Sequence, residues 1–187
     1  MKDREIAGIL LFIGVFEFSL FLLIGEALRP TYSVHSDYIS QLGVGSYNYL
    51  FNYPIIILGI LVVIAAYMMW KFKPKTVFPI LVVIMGASAA GVGIFPMNTG
   101  SIHGYFADIT FISAGLAAIV GAFWFKGSLR VISPAIGIII LISIILYTTG
   151  YLLGLGKGGM ERMIVYPTLL WGMLVAGYLI NSSSESR

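Results

Sequence analysis

The chain contains no cysteine, so disulfides, thiolate metal sites and thiol nucleophiles are excluded, and nothing follows about redox compartment. Charge is scarce as well: charged residues make up 10% of the 187, under half the share of an ordinary soluble domain. The basic residues fall singly or in short groups, and with a formal net charge of only +3 they give no run that would suit nucleic acid. There are two histidines, His35 and His103, and no G-x-S-x-G, S-x-x-K or H-E-x-x-H pattern, which removes the common nucleophile and zinc signatures. The basic N-terminus lacks an A-x-A-like cleavage pattern and its apolar run is long, so a retained first span is expected instead of a signal peptide.

What is abundant is apolar sequence, 59% of the chain. Stretches long enough to cross about 30 Å of hydrocarbon lie near 6–28, 47–70, 76–95, 104–125, 131–155 and 160–180. Backbone amides in lipid have no water to bond, and the runs are too unbroken for alternating barrel strands. The expected fold is therefore an all-α integral membrane bundle of six transmembrane helices, a single membrane domain over 1–187. Lys2, Arg4, Lys71, Lys73, Lys75, Lys126, Arg130 and Arg187 fall on one side, against Arg29, Lys157 and Arg162 on the other. That asymmetry predicts a multi-pass protein of the cell membrane with both termini in the cytoplasm, and Trp70 and Trp124 beside the basic residues agree.

The turns at Lys71-Phe72-Lys73-Pro74-Lys75 and Gly127-Ser128 predict antiparallel neighbours, and a frayed tail is expected over Asn181–Arg187. In the first outer loop, Ser36 is a candidate cap for a short helix from Asp37 to Leu42, ended by Gly43. Glycine and alanine from Gly86 to Gly93, and Ala114, Ala118 and Ala122 at four-residue spacing, read as packing seams; such seams also suit a homo-oligomer or a partner in a membrane complex.

Polar residues inside this apolar background need reasons. Glu17 falls halfway along the first span, where an ionised carboxylate is expensive; it is expected to be neutral and to join Ser88, Ser113 and Ser143 in a hydrogen-bonded layer. Used otherwise, Glu17 is the one candidate for a small proton-linked transporter. Most of the remaining ionisable residues map to the outer side: Glu26, Arg29, His35, Asp37, His103, Asp108, Glu161 and Arg162, with Tyr32, Ser40, Gln41, Asn52 and Asn98 as supporting hydrogen-bonders. Three loops and four helix ends are expected to converge on one polar cup.

Two imidazoles with carboxylates suit a divalent metal that keeps an open position for water, with His103 and Asp108 the first ligands to test. Five residues apart, however, those two stand roughly 140° apart around a helix. Arg29, Lys157 and Arg162 instead suit an anion, because Gly156-Lys157-Gly158-Gly159 opens the sixth span and a helix N-terminus attracts phosphate. The plain structural alternative pairs Glu26 with Arg29, and Glu161 with Arg162, as loop ties.

The outer-loop stretch Tyr32-Ser33-Val34-His35-Ser36-Asp37-Tyr38-Ile39-Ser40-Gln41-Leu42-Gly43, followed by Tyr49-Leu50-Phe51-Asn52, resembles the signature of a prokaryotic integral membrane family catalogued as domain of unknown function 998. Gly93-Ile94-Phe95-Pro96 leading to His103, and Gly156 through Gly159 with Glu161-Arg162 and Tyr166-Pro167, agree in order and spacing. The resemblance implies six helices and a site built from these outer residues; it makes His103 a stronger candidate than His35, and it transfers no activity. A looser similarity to DRAM and Sfk-type membrane proteins points toward lipid handling.

Together these readings predict binding, with processing open, of a phosphate-bearing lipid head group. Membrane lipids are the expected partners. Arg29, His35, Asn52, Glu161 and Arg162 are the candidate binding residues, with Arg162 and Arg29 as charge clamp and Glu161 orienting Arg162. If the protein is an enzyme, His103 is the candidate base or metal ligand and Asp108 or Asp37 its partner. A metal-dependent hydrolase, a transporter using Glu17 and a non-catalytic subunit are the alternatives.

Overall fold

The computed structural model describes residues 2–73 and 76–184. Six helices carry most of them: α1 (Lys2–Ala27), α2 (Tyr49–Phe72), α3 (Val77–Ile94), α4 (Ser101–Trp124), α5 (Leu129–Thr148) and α6 (Gly156–Ser184). Two short 3-10 helices, Ile39–Gly43 and Met97–Thr99, lie in the loops, and there is no strand among the described residues. All six long helices have the length and apolar composition to cross a membrane, and their outward surfaces are hydrocarbon: Leu23, Ile60, Phe123, Ile142 and Leu170 stand exposed. A helix apolar on every face belongs in lipid.

Each helix packs on the ones before and after it, and α6 closes on α1, so the six form a ring in chain order. The start of α1 accordingly lies against the end of α6, where a Cβ built on Gly8 would stand 2.8 Å from the Ala176 carbonyl. One end of the ring holds both termini. The other, the loop end, gathers the α1–α2, α3–α4 and α5–α6 connections.

Small residues set the ring's tightness as the sequence suggests. A Cβ on Gly59 would lie 2.5 Å from the Gly86 carbonyl, and one on Gly137 would lie 2.6 Å from that of Gly115, so α2 meets α3 and α4 meets α5 backbone to backbone. Near the termini end, Trp171 donates from Nε1 to Ser133 Oγ at 2.8 Å, and Ser133 donates to the Ala118 carbonyl at 2.6 Å. This relay ties α6, α5 and α4 where no water competes. Lys73 closes the same end: its Nζ donates to the Trp124 carbonyl at 2.9 Å and sits 5.1 Å from that ring's centroid. Burial first, then Lys126 and Arg4, lower the Lys73 pKa.

Four expectations change. Hydropathy carries the fifth span to Leu155, but α5 stops at Thr148, because Gly150 (φ 77°) donates to the Tyr147 carbonyl and Tyr151 to that of Leu146. That pair of bonds is a Schellman stop, which only a residue tolerant of positive φ completes easily. The expected frayed tail is helical through Ser184; 185–187, and Pro74 and Lys75 of the first tight turn, lie outside the described residues. The layer joining Glu17 to Ser88, Ser113 and Ser143 is not formed among the described residues: Ser113 donates to the Ile109 carbonyl of its own helix at 2.5 Å, and Glu17 Oε1 is buried without a partner. A hydroxyl satisfied one turn back needs no neighbour. Ser36 caps no helix among the described residues; the 3-10 helix of the first loop starts at Ile39, held by other groups described next.

Candidate functional site at the loop end

Arg162 is the hub of the loop end. It opens α6, is 5% exposed, and reaches α1 and the first loop at once. Its Nη2 donates to Glu26 Oε1 at 2.5 Å and to the Tyr32 hydroxyl at 2.7 Å, while Nη1 donates to the carbonyls of Gly158 (2.8 Å), Val34 (3.2 Å) and Asp37 (3.4 Å). Only Nε is left without a partner. The expected pairs do not form: Arg162 pairs with Glu26, not with Glu161, since adjacent residues on a helix point about 100° apart and cannot face each other. The first loop lies directly on the α6 start. Gly158 donates to the His35 carbonyl at 3.0 Å, and a Cβ on Gly158 would lie 2.5 Å from the Val34 carbonyl. The glycines at this helix start serve close approach of the loop, and loop carbonyls lie where an anion would have to come.

Glu161 faces the other way. Its Oε2 accepts from the Ile39 amide, placing a carboxylate at the N-terminus of the 3-10 helix Ile39–Gly43, and Gln41 Oε1 accepts from the Tyr38 amide at 2.6 Å. At the opposite end Arg29 donates through Nη1 to the Gln41 carbonyl and through Nη2 to that of Val44. Acid at the amide end and base at the carbonyl end complement the helix dipole. Asn52 completes the support by donating from Nδ2 to the Gly43 carbonyl at 3.0 Å.

Burial pushes the Tyr32 hydroxyl from its ordinary 10.0 up to about 12, with Arg162 pulling it down and Glu26 and Glu161 pushing it up. The folded protein therefore holds this proton where the unfolded chain has lost it, so stability falls as pH rises from about 10 to about 12. Tyr32→Phe is expected to flatten that fall. Unfolding midpoints in a neutral maltoside across this window check it, and parallel curves for parent and variant would contradict it.

The 3-10 helix divides the polar residues between two cavities instead of gathering them into one cup. A cup of about 500 Å³ is walled by Arg29, Tyr32, Asp37, Gln41 and Asn98. Here Asp37 is turned inward on its own loop, accepting at Oδ2 from the Ser33 amide at 2.7 Å. On the far side a vestibule of about 400 Å³ lies between α4, α5 and α6, with Tyr38, His103, Asp108, Tyr147 and Glu161 in its wall and Ala107, Phe111, Ile144 and Ile164 as apolar lining. Two smaller, almost wholly apolar cavities of about 80 and 70 Å³ continue along the ring axis, the first sharing His103, Phe111 and Glu161 with the vestibule.

His103 is 7% exposed, and its Nδ1 lies 2.8 Å from the Phe95 carbonyl. A carbonyl only accepts, so Nδ1 carries a proton and donates it to this bond. Among the described residues nothing bonds Nε2, and it is not one of the sealed polar atoms. Asp108 is exposed at the vestibule wall and pairs with no group among the described residues. His35, by contrast, is exposed at the loop surface above Gly156. Glu17 lines neither axial cavity. No group of three or more His, Asp or Glu among the described residues is placed to hold a metal ion, so His103 and Asp108 lack a third ligand of these kinds. Tyr147, one residue before the end of α5, is a wall residue sequence reasoning passed over; a tyrosine inside an apolar run reads as an interfacial anchor.

The ring of six lipid-facing helices defines an integral membrane protein. A family model described as "Protein of unknown function (DUF998)" matches residues 12–178, and the chain belongs to that family. No curated protein and no solved structure matches it.

Proposed function

We propose that the vestibule binds the polar head of a membrane amphiphile, with its chain lying along the apolar lining between α4 and α5. The observation that carries this reading is the join of His103, Asp108 and Glu161 to Phe111, Ile144 and Ile164 in one 400 Å³ space within membrane-crossing helices. Ligand sites combine an apolar wall with a few convergent polar groups in this way. His103 Nε2, which bonds nothing among the described residues, is a polar contact for the head group. A phosphate on the head would meet Arg29 only in the neighbouring cup, since the Arg162 guanidinium is committed to protein partners. The basic side of the chain supports a cell-membrane placement with the termini in the cytoplasm and the vestibule at the outer leaflet.

Gly104 lies in the vestibule wall, and a Cβ there meets nothing within 4 Å. Gly104→Trp is therefore expected to fill the space without disturbing the helix. Native mass spectrometry after gentle maltoside extraction should show an amphiphile bound to the parent and most of it lost from the variant. Equal retention by both would count against the proposal.

A further inference from the structure

Resting on that amphiphile reading, we infer that the vestibule selects a head group carrying an ammonium: Tyr38, Tyr147 and Phe111 supply aromatic faces, Asp108 and Glu161 supply carboxylates, and no lysine or arginine lines the space. The Tyr38 and Tyr147 rings lie 6.1 Å apart and are inclined at 68°, an angle that leaves ring faces turned to more than one side. Both carboxylates and both tyrosines line this one space, so acid and aromatic surface share its wall. Asp108 has no cationic partner among the described residues. Arg162, next to Glu161 in sequence, points away to Glu26 and Tyr32 and is absent from this wall.

His103 adds a ring nitrogen, Nε2, that bonds nothing among the described residues. The two carboxylates of the wall accept and do not donate, so an anionic head would find few donors where it needs several, whereas an ammonium finds acceptors and π faces. Phosphate alone is repelled here; a zwitterionic head is accommodated with its ammonium inward.

The test titrates the full chain, in neutral maltoside, with dodecyltrimethylammonium, and in parallel with dodecyl phosphate, by isothermal calorimetry. Saturable binding of the ammonium probe, none of the phosphate probe, and weakening by about tenfold in Asp108→Asn and in Tyr147→Leu are expected, with Tyr147→Phe close to the parent because it keeps the ring. Asp108 is exposed and bonds nothing, so its variant folds. Binding of dodecyl phosphate that Gly104→Trp blocks, with no ammonium binding, would overturn the ammonium inference and leave the amphiphile reading standing. Binding of neither probe would overturn both, and so would binding of both that Gly104→Trp leaves intact.

Discussion

Arg162→Ala unfolds far more easily than the parent, with an expected loss of about 3–5 kcal/mol, the range for breaking one side of a buried ion pair. The size follows from what one guanidinium holds. Glu26, whose side chain is 15% exposed, loses its cation, and the Val34, Asp37 and Gly158 carbonyls lose a shared donor in the same step. A fall in thermal midpoint on the order of 10 °C in maltoside is expected for a chain of this size. Combining Glu26→Gln with Arg162→Met removes both charges, and the double variant should be less destabilised than the sum of the singles. A loss within 1 kcal/mol for Arg162→Ala would mean that the loop is held by something else. Because Arg162 works as a tie, its removal should disturb lipid retention only through unfolding, whereas the Gly104→Trp plug acts on a folded protein.

Gly158→Ala carries the second large effect. The added methyl falls on the carbonyls of Asp37 and Val34, so the first loop must lift from α6 by a shift that flexible side chains cannot absorb. The expected cost is about 1–3 kcal/mol, the usual range for overpacking. Local exchange should respond more sharply than global stability: amide hydrogens of Ser36, Asp37 and Gly158, bonded to Ser33 and His35 carbonyls in the parent, should exchange faster. Gly177→Ala is the control, since its Cβ meets nothing within 4 Å and the change should be neutral or slightly stabilising. Equal behaviour of the two variants would contradict the docked loop.

The six spans were legible because hydrocarbon imposes one rule on every residue of a crossing, and composition reports it directly. The end of α5 was not, because Tyr151, Leu152 and Leu153 continue the apolar run past Gly150, and a stop written in backbone hydrogen bonds leaves hydropathy unchanged. The ionisable residues expected together do lie at one end of the ring, yet their pairings were not readable. Sequence proximity joined Glu161 to Arg162 and Glu26 to Arg29, whereas the closure of α6 on α1 pairs Arg162 with Glu26 and leaves Glu161 and Arg29 on backbone groups of the first loop. The glycines of the α6 start carried a true signal of close approach, and only the loop's position shows that the approaching group is the chain's own backbone. Tyr147 stands one residue before the end of α5, so the missed stop and the missed wall residue lie side by side.

One labelling experiment reaches the central claim, that a space open at the loop end penetrates between the helices. The chain's lack of cysteine allows single thiols to be placed at Ser36, Gly104, Ser128 and Thr149 and probed with a membrane-impermeant maleimide. The account predicts that Ser36→Cys, Thr149→Cys and Gly104→Cys label from the same face, that Ser128→Cys labels from the opposite one, and that bound amphiphile shields Gly104→Cys alone. Labelling of Gly104→Cys from the Ser128 face, or Ser36→Cys and Thr149→Cys reacting from different faces, would contradict it.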